Sequence, residues 1–241
     1  GVSEKEAKAK MYVLGRNGLA HTKSEGLDDL KKRFAQPYET IAHWDIKDRQ
    51  NITLLEVIKH VKPTILIGTS TVPGSFSQEI IMEMHKHTDR PIIFPLSNPT
   101  SKTEALPKDL IDWTDGQALI ATGSPFPSVH YKESSYDIGQ CNNVFIFPGL
   151  GLGVLASGAT QITDAMFLTA SEVLSLHAPI LHKKDGALFP TFDNLRTISM
   201  EVAIAVGSYA INEGICEHPP EDIEKAVKDM MWEPRYPNIK K

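Results

Sequence analysis

Short runs of continuous apolar residues alternate with stretches in which apolar residues recur every three or four positions, a pattern that predicts strands separated by helices. Residues 11–15 (MYVLG) form the first run and close on the turn Gly15-Arg16-Asn17-Gly18. A polar stretch with helical spacing at Leu27, Leu30 and Phe34 ends near Pro37. Over 53–61, Leu54, Leu55, Ile58 and Val61 make a stripe stopped by Pro63, and the run TILIG (64–68) follows. A helix is predicted over 77–87, with Ile80, Ile81 and Met84 on one face, before the run PIIFPLS (91–97). A short helix over 107–113 leads to ALIATG (118–123). Helices between successive runs require crossover connections, and runs without alternation suit strands covered on both faces, so the prediction is a parallel sheet.

After Gly123 the rhythm changes. The polar segment 127–139 reads as a hairpin, and 157–241 reads as a largely helical part of the same domain. Ile162, Met166, Ala170 and Val173 form one stripe up to Pro179. Leu195, Ile198, Val202, Ala205 and Tyr209 form a second, capped by Asp193 or Asn194 and closed at Gly214. A last helix over 221–232 ends at Pro234. At the other end, Ser3 followed by Glu6 makes a capping box. A chain that opens on glycine and enters a helix at once reads as a piece of a longer architecture. The expected fold is therefore α/β, a Rossmann-like parallel sheet flanked by helices, incomplete at its N-terminus, with a helical C-terminal part.

Composition narrows the partners. In 241 residues, 41% hydrophobic, 25 basic and 30 acidic residues give a net charge of −5 without a long block of one sign. That argues against nucleic acid and membrane surfaces and for a small molecule. Cys141 and Cys216 lie 75 positions apart in no metal or redox spacing, and read as free thiols in a reducing compartment. No apolar stretch reaches 18 residues and no leader is indicated, so the expected location is the cytoplasm, an organelle matrix being also compatible. Nucleophile elbow, H-E-x-x-H and P-loop patterns are absent from the sequence. His85 and His87, two apart on a helix, point to different faces and do not suggest a metal site.

Two places carry candidate chemistry. The four predicted strands end in GRNG, GTSTVPGS, SNPTSKTE and GSPFP, all small and polar. Ligands of open parallel sheets bind beyond the carboxyl ends of the strands, so these tails are either ordinary turns or a cradle for a phosphate-bearing ligand. Asn98, fixed between Ser97 and Pro99, is expected to be extended, with its amide directed away from the strand. The second place is QCNNVFIFPGLGLGV (140–154), where an apolar run that could be a strand meets glycines. Residues 151–156 match G-x-G-x-x-A, and Glu172 lies 21 positions after Gly151. A dinucleotide fingerprint needs that acid on a second strand, whereas 157–178 is one helical pattern, and Pro148 intrudes before the glycines. The better reading lets these glycines pack a helix start closely on the sheet. Adjacent asparagines are commonly loop residues bonding their own backbone. Asn142 and Asn143 lie beside apolar residues, however, where an unpaired amide costs roughly 1–3 kcal/mol, and the alternative is a specific partner.

The segments PLSNPTSKTEA, WTDGQALIATGSPFPSV and IGQCNNVFIFPGLGLGVLASGATQIT, with KPTILIGTS and IMEMHKH around them, carry a resemblance. Over essentially the whole chain the sequence resembles the nicotinamide-binding domain of malic enzymes, especially the bacterial NAD-type, oxaloacetate-decarboxylating kind. The resemblance implies NAD-dependent oxidation of L-malate, then metal-assisted loss of carbon dioxide to give pyruvate, in a homodimer or homotetramer. It implies substrate contacts from Asn98, Asn142 and Asn143, and cofactor contacts from Gly68, Thr69, Ser70, Ser97, Asn98, Gly123, Ser124 and Asn142. It also places the phosphate-binding G-x-G-x-x-G, the tyrosine and lysine acting as acid and base, the arginine gripping malate and the Mg2+ or Mn2+ carboxylates before residue 1, so that no catalytic or metal residue is expected here and the chain alone should not turn over. Gly15 stands where the family usually has the acid that binds the adenosine ribose, and Arg16 follows it, so NAD is expected and NADP is possible. A malolactic enzyme and a non-catalytic nucleotide-binding module are the alternatives.

Overall fold

The computed structural model describes residues 1–183 and 185–233. The chain forms two compact units, Gly1–Ser124 with Val129–Glu133, and Pro125–Ser128 with Ser134–Lys241.

The first unit opens on α1 (Glu4–Lys8), held by the expected capping box: Glu6 N–H donates to Ser3 Oγ while Ser3 N–H donates to Glu6 Oε2 at 2.8 Å. Strands β1 (Leu14–Gly15) and β2 (Gly18–Leu19) pair antiparallel, Leu14 with Leu19. Helices α2 (Asp29–Phe34), α3 (Tyr38–Ile41) and α4 (Leu54–Val61) follow. Leu19, Ile41, Trp44, Ile52 and Val57 bury a local core, and the Trp44 ring stacks on His60 with centroids 4.8 Å apart. Gln36 ties this region together: buried, its side-chain amide donates to the carbonyls of Lys8 and Met11 at 3.0 and 2.6 Å. Helix α4 starts on a second capping box, Thr53 with Glu56, and ends where Lys62 turns left-handed before Pro63.

Next come β3 (Ile65–Gly68), α5 (Gln78–His85), β4 (Ile92–Pro95), α6 (Pro107–Trp113), β5 (Leu119–Thr122) and β6 (Val129–Tyr131). β3 and β4 are parallel, Ile65 opposite Ile92 and Gly68 opposite Pro95, and β4 and β5 are parallel, Ile92 opposite Leu119. Helices α5 and α6 are the crossovers, as the hydrophobic spacing predicts, and Ile80, Ile81 and Met84 are buried on α5. The Rossmann-like parallel sheet flanked by helices is thus observed.

Two expectations about this sheet need correction. The run 11–15 is not one of its parallel strands. The turn at 15–18 sends the chain straight back, so Leu14 finds Leu19 as its neighbour in a separate two-stranded ribbon. Nor is β3 covered on both faces: Leu66 and Gly68 are buried, whereas Ile65 is 50% and Ile67 58% exposed. Side chains of a strand alternate between faces, and among the described residues only one face of β3 is packed.

The second unit contains β7 (Ser134–Tyr136), β8 (Gly139–Gln140), a 3-10 turn at Asn143–Phe145, and helices α7 (Phe147–Ser157), α8 (Asp164–Leu176), α9 (Leu195–Asn212) and α10 (Ile223–Met230). The apolar run after the asparagines is therefore helical rather than a strand, with Pro148 in the first turn of α7, where a missing N–H is harmless. Glu172 lies within α8, so the fingerprint fails for the reason the helical pattern over 157–178 gives. The glycines pack on a helix, not on the sheet. Gly149 and Gly153, four apart and so on one face of α7, meet α9: a β-carbon at Gly149 would lie 2.7 Å from Ser199 O, and one at Gly153 would lie 2.6 Å from Ala203 O. Phe145, Leu150, Met166, Ala170, Ile198, Val202, Val206 and Ala210 fill the core beside this crossing. Helix α10 spans less than the predicted 221–232, and the predicted stop at Pro234 lies outside the described residues.

Candidate functional site

The carboxyl ends of β3, β4 and β5 lie side by side, and the residues that follow them are joined through one acidic side chain. Glu104, seven positions after Ser97, is 0% exposed. Its Oε1 accepts from the Ser70 amide at 2.7 Å, from Ser70 Oγ at 2.8 Å and from Ser97 Oγ at 2.5 Å, and its Oε2 accepts from the Ser97 amide at 3.3 Å. The Ser97 hydroxyl in turn accepts from the Thr71 amide at 2.8 Å. The loop after β3 is thereby tied to the loop after β4 through a carboxylate and a hydroxyl. Gly68 leaves the room for this, since a β-carbon there would lie 2.7 Å from Glu104 Cδ and from Phe76 Cζ.

A second link joins β4 to β5. Ser124 Oγ donates to Asn98 Oδ1, and Asn98 Nδ2 donates to Leu96 O at 3.4 Å. Gly123 lies against the same backbone, where a β-carbon would collide with Leu96 O and reach 3.0 Å from Asn98 Nδ2. Ser97, Gly123 and Ser124 are buried beneath this edge, while Thr69, Ser70, Thr71 and Asn98 are exposed on it. The Asn98–Pro99 peptide bond is cis.

Burial alone would raise the Glu104 carboxyl. The Ser97 hydroxyl and the Ser70 amide and hydroxyl outweigh it, and hold the group below its ordinary value of 4.5. The residue is ionised at neutral pH, a fixed negative charge under the edge. Periodicity and motif spacing single out the loops but not this acid. Its one sequence signal is a carboxylate in a small, polar strand-end segment, TSKTEA, and nothing there foretells burial.

Of the predicted site residues, Gly68, Ser70, Ser97, Asn98, Gly123 and Ser124 are brought together in the first unit, with Thr69 on the same loop. Gly15 and Arg16 are exposed on the β1–β2 ribbon, which forms its own two-stranded sheet. The nearest neighbour of Gly15 is the stem of Lys31, whose ammonium pairs with Asp28 at 2.7 Å. Asn142 and Asn143 belong to the second unit. Asn142 Oδ1 accepts from the Val144 amide at 3.0 Å and so caps the 3-10 turn, and Asn143 is exposed. The Asn142 oxygen is thus satisfied by its own backbone.

His85 Nδ1 lies 3.3 Å from Thr88 O and His87 Nε2 lies 3.4 Å from Glu83 Oε1, so both rings have local partners. Cys141 and Cys216 are unpaired and half-buried, and burial pushes the Cys141 thiol up. An open pocket lined by Thr22, Ser24, Gly26, Leu27, Lys32 and Ala35 contains none of the predicted site residues. Among the described residues, no helix is long and apolar enough to cross a membrane.

Parallel strands joined by helical crossovers, with a small, polar rim at their carboxyl ends, define an open α/β domain of the kind that takes ligands at that rim. The family model described as malic enzyme, NAD binding domain, matches residues 1–211, and the chain belongs to that family. It is 46% identical over 242 residues to the NAD-dependent malic enzyme of Pectobacterium atrosepticum, covering 100% of this chain and 43% of that protein. It is 47% identical over 237 residues to the enzyme of the same name from Aeromonas hydrophila, covering 98% and 42%. Among solved structures, the malic enzyme of Entamoeba histolytica superposes with a TM-score of 0.64 at 25% identity, over 91% of this chain and 40% of that one. The malic enzyme of Pyrococcus horikoshii superposes with a TM-score of 0.56 at 26% identity, over 84% and 41%. The chain thus spans less than half the length of the relatives it matches.

Proposed function

We propose that this chain binds NAD along the carboxyl edge of β3, β4 and β5, as part of a malate oxidoreductase that converts L-malate to pyruvate and carbon dioxide. The observation that carries the reading is the joined rim, Ser70 to Ser97 through Glu104 and Asn98 to Ser124, in a chain of this family. Gly68, Thr69 and Ser70 present backbone N–H groups and small side chains to the adenosine and pyrophosphate, with Ser97, Gly123 and Ser124 supporting them. Asn98 is exposed, its side-chain oxygen is engaged by Ser124 and one hydrogen of its Nδ2 by Leu96 O, so the second Nδ2 hydrogen is the donor left to bind. A neutral donor holds a carboxylate or a nicotinamide carboxamide without adding charge, and one such bond to a charged partner contributes roughly 1.5–3 kcal/mol. When bound, NAD supplies the hydride acceptor.

The substrate role of Asn142 and Asn143 and the cofactor role of Asn142, Gly15 and Arg16 rest on the resemblance. Without a carboxylate at Gly15, discrimination against a 2′-phosphate is weakened, and NADP is the second cofactor to test. A divalent cation does not fit here: among the described residues no group of three or more His, Cys, Asp or Glu could hold one. Mg2+ or Mn2+ ligands, the acid and base, and the contacts of a homodimer or homotetramer are assigned to the part of the relatives that this chain does not span. Two unpaired cysteines support a cytoplasmic setting.

The test is an exchange of parts. Residues 1–241 replace the matching segment of the Pectobacterium atrosepticum enzyme, and NADH formation from malate is followed. Turnover with NAD by the hybrid, and none by the separate chain, is the expected result. A folded hybrid that consumes no malate overturns the reading, and malate loss without NADH replaces it with malolactic chemistry.

A further inference from the structure

The geometry points to Glu104 as the positioning residue of the cofactor rim, an inference that rests on the nucleotide reading above. A fully buried glutamate that merely filled space would be an expensive choice, because an ionised carboxylate out of water needs several donors to compensate it. Four come from Ser70 and Ser97, the residues that leave β3 and β4, and its own backbone amide adds to them. None comes from the helical crossovers. The carboxylate therefore does little for the sheet core and much for the relative placement of two loops. Its own backbone is fixed separately, the Glu104 carbonyl accepting from the Phe76 amide at 3.1 Å, so the side chain extends toward both loops from an anchored position.

The chemistry requires an acid at this point. Three donors converge on Oε1 alone, more than an amide oxygen accepts comfortably, and the fourth meets Oε2, where the NH2 of a glutamine would oppose the Ser97 amide donor. A neutral replacement of the same size thus leaves at least one backbone donor unpaired and frees the two loops from each other. Through the Ser97 hydroxyl the same carboxylate also fixes the Thr71 amide, the exposed end of the β3 loop. Glu104 acts through Ser70 and Ser97 and does not touch the cofactor.

The test compares the hybrid enzyme described above, which supplies the phosphate-binding glycines, with its Glu104→Gln variant, with Glu79→Gln as an exposed control, using NAD titration and site-resolved amide hydrogen exchange. The expected result is a dissociation constant for NAD raised about tenfold, the size of one lost charge-assisted bond. The Ser70 and Ser97 amides should lose protection while those of Ile93 and Ile111 keep it. A merely structural role would lower protection everywhere alike, or leave affinity within twofold, and either result overturns the inference while NAD binding by the unaltered hybrid stands. If the unaltered hybrid binds neither NAD nor NADP, the nucleotide reading fails and this inference with it. Should Glu104→Gln not fold, Glu104→Asp keeps the charge and withdraws the oxygens by one methylene. It must give the same local loss of protection and weaker NAD binding, and unchanged binding by it overturns the inference.

Discussion

At Gly123, a β-carbon would run into the carbonyl of Leu96 and press on the Asn98 amide, whereas at Gly153 it would run into the carbonyl of Ala203 on the facing helix. The two glycines occupy the two units of the chain and lie in motifs that look equally suited to a nucleotide. In the first unit the missing side chain lets strand-end backbones and a polar amide lie against one another, and what it meets is the Leu96 carbonyl and the Asn98 side-chain amide. In the second it lets α7 approach α9, and what it meets is the Ala203 backbone and the Val206 side chain. A glycine motif therefore says that something comes close. Which chemistry comes close is decided by the neighbours: a polar side-chain amide and a carbonyl at Gly123, packed helix backbone and a valine at Gly153.

The contrast is open to direct attack. The largest effect is expected from Gly123→Ala: the obstacle is backbone of an adjacent strand, so the rim must deform, at a loss of about 3 kcal/mol, read from the urea midpoint. A loss below about 1 kcal/mol would mean that the close approach is slack. Gly153→Ala comes next. Overpacking between α7 and α9 costs about 1–3 kcal/mol, and a gain of about 1 kcal/mol in helix propensity offsets part of it. The net loss should appear in stability with NAD binding unchanged, and a loss of binding instead would erase the distinction between the units.

A smaller effect is expected from pH. The Glu104 carboxyl titrates below its ordinary 4.5 when folded, so the stability it contributes is fully present above that value and is lost as pH falls through the lowered one. Stability measured from pH 6 down to 3 should therefore fall more steeply in the unaltered chain than in Glu104→Gln, and parallel acid limbs would remove the charge from the account. The smallest effect is expected from Gly151→Ala, on the same helix as Gly153 but with nothing within 4 Å of its β-carbon. Helix propensity alone predicts a gain of about 0.5–1 kcal/mol, and destabilisation would show a contact on that face.

Legibility from sequence followed the same division. The helices of the first unit are written in local chemistry: Ser3 with Glu6, and the stripe over 53–61 stopped by Pro63, mark termini that the structure reproduces, and Thr53 with Glu56 adds a capping box to the second. The runs at 64–68, 91–97 and 118–123 became parallel strands because helical crossovers separate them. The run 11–15 reads like those strands, and what distinguishes it is pairing with β2, a tertiary choice that no local pattern expresses. Apolar character was likewise a poor guide at 144–147, where a 3-10 turn and a proline-led helix replace the strand it suggests. In the rim, the exposed and small residues could be read from strand ends. Glu104 could not, since its importance comes from donors on two loops that meet only after folding.

The most direct measurement is a titration with NAD of the hybrid enzyme, isotope-labelled in residues 1–241 and followed amide by amide. The account predicts concentration-dependent shifts concentrated at residues 68–71, 97–98 and 123–124 of the first unit, with the Gly149 and Gly153 amides still. Shifts centred on the glycines of α7, or none at millimolar NAD, would contradict it.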